Sequence, residues 1–481
     1  MTRSTRHPLL RPMLLVLLVG VLAWVAHFTG PEDLHDDDQL KPAAYALDII
    51  RNNRWIVQTD FDNSVTSKPP LYQWLVAIAA LPRDKVDELA LYLPSGIGII
   101  GAALLACWAA AGRYGPNAGL CAGGIVILNT LAAKHLCLAR TDALFTLTVT
   151  ATAVAALLAW ERGGTRRWTV FWLLAALATM TKGPLGLVLG AGGLLAAAWE
   201  RKTPDRPTMR GSHLPGVLLF LAICGGWFAL AVMVDGQPVI DKMIGRELVG
   251  HAVAAESGKA PFSRVYQPTL YFLARFLPWS PIAVLSLIRV WRRPAAAAEG
   301  RRLERFCLCW FVLGIVIFSI PGHQRADLLL PLFPAVAILV GRALAERSER
   351  LPRPARVAAC VVASVVGIGA IGWWNHVGRL KDADLIQSLE ARSFANTILA
   401  RDGRVEFLPD ASDLQYYLGV KQPTVSTATA ASLLVDEQVI VLTRDPSALR
   451  DELARKSVSA VEIEGLPTVR GETIAAFVRG R

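Results

Sequence analysis

The chain has 481 residues, of which 53% are hydrophobic and only 19% are charged. Soluble globular proteins carry about 25% charged residues. Here the apolar residues form long runs, several of them close to the roughly 20 residues that cross a bilayer. The net charge is +11, and the basic residues lie in short segments between these runs rather than on one face with interleaved aromatic residues. The pattern predicts a polytopic membrane protein and excludes a cytosolic enzyme, a fibrous protein, a disordered chain and a nucleic-acid-binding protein.

The first apolar run, residues 13–28, follows Arg3, Arg6 and Arg11 and has the look of a signal peptide. Because no small-x-small cleavage site follows it, we expect an uncleaved first transmembrane helix. With the later runs, the chain has about eleven predicted spans. The later runs are 92–111, 117–133, 142–160, 167–180, 182–199, 214–234, 268–290, 305–320, 326–344 and 357–375.

Positive charge sorts the connecting segments into two sets. If the amino terminus is cytoplasmic, the segments expected on the inner side are rich in arginine and lysine, as the positive-inside rule requires. The expected outer segments, notably 29–91 and 235–267, have mixed charge. An odd number of spans then places residues 376–481 outside the cytoplasm.

The carboxy-terminal segment differs from the rest because it has no apolar run long enough to span a membrane. Helical and alternating patterns are interleaved in it, which indicates a small α/β domain. We therefore predict a transmembrane domain over residues 1–375, containing the outer loop 29–91, and an extracytoplasmic α/β domain over residues 376–481. The elements predicted in the second domain are a helix at 384–400, strands at 404–408 and 438–443, and a helix at 446–456.

The outer loop 29–91 has two unusual features. Asp36, Asp37 and Asp38 follow one another just outside the first membrane helix. Three adjacent carboxylates repel each other unless a cation, a proton or a substrate offsets the charge; the alternative is a solvated acidic turn that caps the next helix. Further along, Lys68 precedes two prolines that restrict the backbone, and an aromatic amphipathic stretch suited to the membrane interface follows.

Together these features resemble the outer loop of GT-C class membrane glycosyltransferases, in particular the protein O-mannosyltransferase and lipid A aminoarabinose transferase families. Those families share an Asp-Glu pair in this loop, followed by a helix that ends near Lys-Pro-Pro-Leu. Matching Ala46-Leu47-Asp48-Ile49 to that helix places Asp38-Gln39 on the Asp-Glu pair and Lys41 on the usual arginine. Since Gln39 replaces the Glu, the resemblance assigns the base to Asp38, or to Asp37 if the register shifts by one residue.

Other segments match the same families in the same order over most of residues 35–345. Asp142, in Ala139-Arg140-Thr141-Asp142-Ala143-Leu144-Phe145, matches a second acidic position that opens a transmembrane helix; the alternative is that it only caps that helix. The late polar turn contains His323 and Arg325 but lacks the families' lysine. The remaining matches are Thr181-Lys182-Gly183-Pro184, Pro261-Phe262 through Tyr266, Phe276-Leu277-Pro278-Trp279-Ser280, and Phe318-Ser319-Ile320 through Ala335.

The resemblance implies a mainly α GT-C architecture and a multi-pass enzyme of a bacterial inner membrane. Such an enzyme takes a sugar from a polyprenyl-phosphate donor, with inversion, and places it on a lipid, glycan or protein acceptor at the outer face. A carboxylate serves as general base and cations hold the leaving phosphate. The implied residues are Asp38, Asp37 and Asp142 for catalysis, Lys41, Lys68, Arg264 and Arg325 for the donor phosphate, and Gln39, Tyr45, Tyr72, Tyr266 and His323 for substrate contacts.

Several of these residues have a simpler interpretation. Lys68 and Lys182 are long enough to reach lipid headgroups without contacting a substrate. Tyr45, Tyr72 and Tyr266 fit an interfacial aromatic belt equally well.

The sequence leaves open whether the protein binds a divalent metal. Four histidines are predicted on the outer side with the acidic triplet, but no pair of them has the close spacing typical of metal ligands. His251, in the long outer segment 235–267, is the first candidate ligand. The cysteines lie in or beside apolar runs with no disulfide or zinc spacing, which favours packing roles.

Two other functions compete with sugar transfer. A transporter or flippase of lipid-linked sugars would carry ionisable residues in mid-span or paired broken helices, whereas the polar candidates here gather in outer loops. A catalytically inactive member of the class is the other alternative, because Gln39 replaces the expected Glu.

Overall fold

The computed structural model of the chain describes residues 7–29, 34, 39–207, 209–250, 264–322, 324–381, 383–435, 438–463, 466 and 474–480. It is mostly helical with one small sheet, so the predicted fold class is confirmed. Its residues form two compact units, which we call the membrane unit and the second unit. The membrane unit is Met1–Thr29, Ser67–Tyr72 and Tyr92–Trp373; the second unit is Gly30–Thr66, Gln73–Leu91 and Trp374–Arg481.

Helices cover each of the apolar runs expected to span the membrane. The α-helices before residue 374 are His7–Ala26, Leu40–Asn52, Leu71–Ala80, Glu88–Tyr114, Pro116–Leu128, Thr130–His135, Thr141–Arg162, Thr165–Lys182, Leu185–Ala191, Ala196–Trp199, Leu214–Phe220, Gly226–Asp235, Gln237–Ile240, Gln267–Arg275, Ser280–Arg292, Ala298–Ser319, Phe333–Ser348 and Arg353–Trp373. Short 3-10 or π segments extend them at His27–Thr29, Leu81–Arg83, Gly192–Leu195, Glu200–Lys202, Leu221–Gly225, Asp241–Gly250, Ala326–Leu332 and Trp374–Gly378.

Six helical spans in the described part of the chain are long and apolar enough to cross a membrane, so the protein is a multi-pass membrane protein. A seventh is added if the pair Gln267–Arg275 and Ser280–Arg292, bent by 118°, is one span. The total of about eleven spans stays a prediction. The six are Leu9–Thr29, Glu88–Tyr114, Thr141–Arg162, Leu214–Asp235, Ala326–Ser348 and Arg353–Gly378.

The spans divide into central and peripheral helices. Thr141–Arg162 and Ala326–Ser348 are each 78% buried over their most apolar stretch, whereas Leu214–Asp235 and Arg353–Gly378 are only 11% and 6% buried. An apolar helix that is not buried by protein is suited to contact with lipid. The catalytic candidate Asp142 therefore belongs to one of the two most enclosed spans.

Four threonines inside the central helix Thr141–Arg162, at positions 146, 148, 150 and 152, donate their hydroxyls to backbone carbonyls of the same helix. Thr146 donates to the carbonyl of Asp142 at 2.8 Å, and Thr150 donates to the carbonyl of Thr146 at 2.6 Å. Bonding to the carbonyl one turn earlier is how a hydroxyl is accommodated where water is absent. The helix can thus carry polar residues through the centre of the membrane unit.

The carboxy-terminal part of the second unit is an α/β domain, close to the predicted elements. The helix expected at 384–400 is Ala383–Leu399, and the helix expected at 446–456 is Pro446–Arg455. Its four strands are β1 (Arg404–Phe407), β2 (Val439–Thr443), β3 (Ala460–Glu462) and β4 (Ala475–Arg479). The shorter helical segments are Arg379–Lys381, Pro409–Leu414, Gln415–Leu418 and Thr427–Leu433.

The sheet has the order β1-β2-β4-β3, with β1 parallel to β2 and the other pairs antiparallel. Every residue of β2 is buried, because side chains alternate between two covered faces. Ile440 and Leu442 join a core with Phe394 of helix Ala383–Leu399. Val441 faces the opposite core, which includes Leu449. The domain is therefore a sheet with an apolar core on each face.

Candidate active site

The first turn of the central helix Thr141–Arg162 holds the acidic candidate Asp142. Its Oδ1 forms an ion pair with the ammonium of Lys182, the last residue of helix Thr165–Lys182. The two side chains are mostly buried, and the Lys182 ammonium also lies 5.8 Å from the ring centroid of Phe145. Gly183 ends that helix with φ of +89°, a conformation that favours glycine. The antiparallel helix pair thus brings Asp142 and Lys182 together.

Two further basic groups act on Asp142. Lys68, half-buried beside the buried Pro70, and His135 are both close enough to interact electrostatically with the Asp142 carboxylate. The structure therefore brings together two residues singled out from the sequence, Lys68 and Asp142. It adds Lys182, for which the sequence left substrate contact and lipid contact equally open.

A second carboxylate, Asp327, lies in the same region and was missed from the sequence. Its oxygens are 3.7 Å from Arg140 Nη1 and 3.8 Å from Arg325 Nη2. These distances are longer than a hydrogen bond. The signal in the sequence was a charge at the start of the predicted span 326–344, a position where an ionisable residue is costly unless it has a role.

His135 connects the surroundings of the two carboxylates. It is fully buried, its Nδ1 donates to the carbonyl of Leu131 at 2.9 Å, and its Nε2 lies 3.9 Å from Asp327 Oδ1. Donation from Nδ1 fixes the tautomer, so Nε2 carries the lone pair when the ring is neutral. Burial lowers the pKa of His135, which favours that neutral form.

Close helix packing holds the first turn of the Asp142 helix. A Cβ on Gly98 would lie 2.4 Å from the carbonyl carbon of Ala143, so only glycine allows helix Glu88–Tyr114 to approach this closely. One turn earlier, Ser95 donates to the carbonyl of Leu138 at 2.6 Å. The Tyr72 hydroxyl lies 3.3 Å from Ser95 Oγ, and its side chain is fully buried. In this structure Tyr72 is thus part of the packing beneath the site.

In the second unit, helix Leu40–Asn52 is anchored by the buried Asp48. Its carboxylate accepts hydrogen bonds of 2.8 Å from the backbone amide of Thr59 and from the side chain of Asn52. Arg54 lies 3.8 Å away. Among the sequence candidates on this segment, Gln39 and Tyr45 are buried and Lys41 is exposed.

The other candidates are exposed or lie outside the described residues. Arg264 and Tyr266 are exposed in the turn before helix Gln267–Arg275, Tyr266 by 60%. In the part of the chain that the structure describes, no group of three or more His, Cys, Asp or Glu side chains is placed to hold a metal ion. The candidates outside the described residues are Asp37, Asp38, His251 and His323.

The opposite end of the Asp142 helix carries a different set of charges. Glu161, near its last residue, pairs with Arg113 at 2.7 Å. Nearby in the membrane unit, the buried Glu200 accepts from Arg301 at 3.1 Å and from Arg305 at 2.6 Å. These distances are those of charge-assisted hydrogen bonds.

The arrangement of helices corresponds to that of a known class of membrane proteins. The family model described as dolichyl-phosphate-mannose-protein mannosyltransferase matches residues 67–228, which include Lys68, Asp142 and Lys182. The crystal structure of ArnT from Cupriavidus metallidurans bound to undecaprenyl phosphate has a TM-score of 0.73 at 14% identity and covers 96% of this chain and 97% of that one. The archaeal oligosaccharyltransferase AglB from Archaeoglobus fulgidus has a TM-score of 0.51 at 12% identity, covering 96% and 70%. The chain therefore has the GT-C fold of these membrane glycosyltransferases, and the resemblance found in the sequence is confirmed.

Curated relatives agree with this class. An undecaprenyl phosphate-alpha-4-amino-4-deoxy-L-arabinose arabinosyl transferase of Shewanella sediminis is 23% identical over 363 residues, which are 73% of this chain and 63% of that protein. An uncharacterized protein of Aquifex aeolicus is 27% identical over 339 residues, 69% of this chain and 64% of that protein. The matched region thus spans just under two thirds of the length of these relatives.

Proposed function

We propose that this protein is a glycosyltransferase of the inner membrane that takes a sugar from a polyprenyl-phosphate donor. The acceptor is a hydroxyl of a lipid, a glycan or a protein at the outer face. In this proposal the amino terminus is cytoplasmic and residues 376–481 form an extracytoplasmic domain. Because the relatives include arabinosyl transferases, the first donors to test are undecaprenyl-phosphate-linked sugars, both pentoses and hexoses.

The observation that carries the proposal is the cluster of Lys68, Asp142 and Lys182 at the start of an enclosed apolar helix. A polyprenyl phosphate keeps its chain in the bilayer and its phosphate near the surface, so cations at the end of a membrane helix are placed where that phosphate lies. Preorganised cations in a low-dielectric setting stabilise charge that develops on a leaving group. Asp142, already paired with Lys182, is suited to orienting these cations rather than to removing a proton.

The base in this proposal is Asp38, with Asp37 as the alternative. The base accepts the proton of the acceptor hydroxyl, and the freed oxygen forms a bond to the anomeric carbon. The bond from that carbon to the phosphate oxygen breaks, and its electron pair leaves with the polyprenyl phosphate. Lys68, with Lys41, Arg264 and Arg325, balances the charge on that phosphate. Attack opposite the leaving group inverts the anomeric centre.

Substrate contacts from Gln39, Tyr45, Tyr72, Tyr266 and His323, and a metal held by His251, remain expectations from the sequence. Tyr266 is the tyrosine most open to a ligand, since Tyr45 and Tyr72 are buried by protein.

The test is sugar transfer by the purified full-length protein in liposomes. Radiolabelled polyprenyl-phosphate sugars are offered with a membrane and periplasmic extract as the source of acceptor. We expect transfer by the parent and loss of at least about 100-fold in Lys68→Ala and in Asp38→Asn.

Matched controls keep the charge changes comparable. Lys85→Ala removes an exposed lysine of the same loop, and Asp402→Asn removes an exposed aspartate of the carboxy-terminal domain; both should retain parental rates. Activity that survives Asp38→Asn moves the base to Asp37. Absence of transfer by the parent across the donor panel rejects the proposed function in favour of transport or an inactive protein.

A further inference from the structure

Within the second unit, the carboxy-terminal α/β domain is bound to the acidic outer loop by side-chain hydrogen bonds that span more than 300 residues of sequence. The bonds run from Arg51 Nε to Gly419 O at 2.9 Å, from Asn52 Nδ2 to Lys421 O at 3.2 Å, from Ser412 Oγ to Asp62 Oδ1 at 2.9 Å, and from Lys421 Nζ to Asn63 Oδ1 at 3.1 Å. The loop is thus held by the segment 412–421 of the domain.

Lys421 is the unusual member of this set because a lysine is almost never buried. Only 5% of it is exposed, and its ammonium is surrounded by groups of the loop. Burial lowers the pKa of Lys421, an effect that the nearby carboxylates oppose. The charged groups that act on it are Asp48, Asp60, Asp62 and Arg54.

The Lys421 ammonium contacts a tight turn of the loop at residues 60–64. Asn63, its hydrogen-bond acceptor, has φ of +60°, and Asp60 accepts from the Ser64 amide at 2.8 Å within the same turn. Asp48 links that turn to helix Leu40–Asn52 through its bonds to Thr59. Moving the ammonium therefore changes the electrostatic environment of Asp48, Asp60 and Asp62 in the loop.

A buried charge of this kind is weak evidence for stability, since its desolvation offsets much of the attraction. Its firmer consequence is geometric, because the Lys421 ammonium donates to Asn63 Oδ1, an acceptor held in a left-handed turn of the loop. Helix Leu40–Asn52 begins two residues after Asp38, the proposed base, in the sequence.

We propose that Lys421 is a positioning residue through which the carboxy-terminal domain sets the place of the acidic outer loop for sugar transfer. The expected effect of Lys421 on the rate rests on the proposed function, whereas its expected effect on the position of the loop does not. The domain is, in this view, a part of the catalytic apparatus that contributes no group to the reaction itself.

The test compares Lys421→Met, which keeps the length of the side chain and removes its charge, with Lys456→Met. Lys456 belongs to the same domain and bonds only within it, to Ala428 and Ser432. In the full-length protein we expect amide hydrogen exchange at Thr59 and Thr66 to be about tenfold faster in Lys421→Met and unchanged in Lys456→Met. Exchange within β2 should be the same in all three proteins.

Kinetics give the second readout. We expect kcat to fall about 10- to 100-fold in Lys421→Met, because the displaced loop carries the proposed base. Lys421→Arg, which keeps the charge, should recover most of the loss. A fall in thermal stability alone, without these changes, would show a purely structural role.

A second pair of variants applies if Lys421→Met does not fold. Asn63→Gly removes the acceptor of the Lys421 ammonium, and Asn53→Gly makes the same change at the other left-handed asparagine of the loop, with φ of +56°. Both variants gain the same backbone freedom from glycine. Only Asn63→Gly should therefore speed amide exchange in the loop and lower kcat.

The outcomes separate this inference from the proposed function. Unchanged exchange in the loop in both Lys421→Met and Asn63→Gly overturns the positioning role, whatever the activity. If the parent transfers no sugar, the proposed function fails while the exchange data still decide whether Lys421 fixes the loop.

Discussion

The two ends of helix Thr141–Arg162, about 30 Å apart by helix geometry, carry charge in different ways. At the Glu161 end, arginines meet carboxylates at 2.6 to 3.1 Å. At the Asp142 end, Asp142 pairs closely with Lys182, whereas Arg140, Arg325 and His135 approach Asp327 only to 3.7 to 3.9 Å. Close ion pairs of this kind hold helices together. In the proposed function, the charges at the Glu161 end hold helices together, and the cluster at the Asp142 end meets the donor phosphate.

The largest effect expected from this comparison concerns the two carboxylates of the helix itself. Asp142→Asn should lower sugar transfer about 100-fold, because Lys182 and Lys68 lose the carboxylate that orients them. Glu161→Gln, the same change at the other end, should leave the rate within about threefold and lower the melting temperature instead. Initial rates and thermal unfolding of the purified proteins measure both. Equal losses of rate in the two variants would remove the distinction between the ends.

A smaller effect is expected at the cations around Asp327. Arg325→Gln should raise the KM for the donor about tenfold with little change in kcat, since it removes one charge-assisted contact to the phosphate. The exposed Arg350, near the end of helix Phe333–Ser348, gives the matched variant Arg350→Gln, which should behave as the parent. The measurement is the dependence of initial rate on donor concentration. A parental KM in Arg325→Gln would exclude this arginine from the phosphate site.

The smallest effect concerns the packing that supports the Asp142 turn. Gly98→Ala should destabilise the protein by about 1–3 kcal/mol, because the new methyl group meets the backbone of Ala143. Gly112→Ala lies in the same helix with nothing within 4 Å, and should be neutral or slightly stabilising. Thermal unfolding in detergent compares them. Similar stability of the two variants would show that the close approach at Gly98 is not needed.

Local pattern was sufficient to predict several parts of the fold. The long apolar runs fall on helices, and the helix expected at 446–456 is observed as Pro446–Arg455. Strand β2 was predicted to within one residue, since four of its five residues are apolar. Strands β3 and β4 were missed; β3 has three residues, too few for an alternating pattern to show.

The candidate site was predictable only in part. Lys68 and Asp142 stood out because they match motifs of the glycosyltransferase families that the sequence resembles. Nothing local indicated that Asp142 pairs with Lys182, or that Asp327 shares its surroundings with Arg140. Such pairs depend on which helices become neighbours.

By itself, the sequence determined a multi-pass helical membrane protein with a small α/β domain, because hydrophobic transfer and strand alternation act over short stretches of chain. Tertiary structure alone decided which polar groups meet: Asp142 with Lys182, Asp327 with Arg140, and Lys421 with Asn63. The physical reason is that an ion pair or hydrogen bond acts over a few ångströms in space and carries no fixed separation in sequence. The fold must bring the partners within a few ångströms of each other before they can interact.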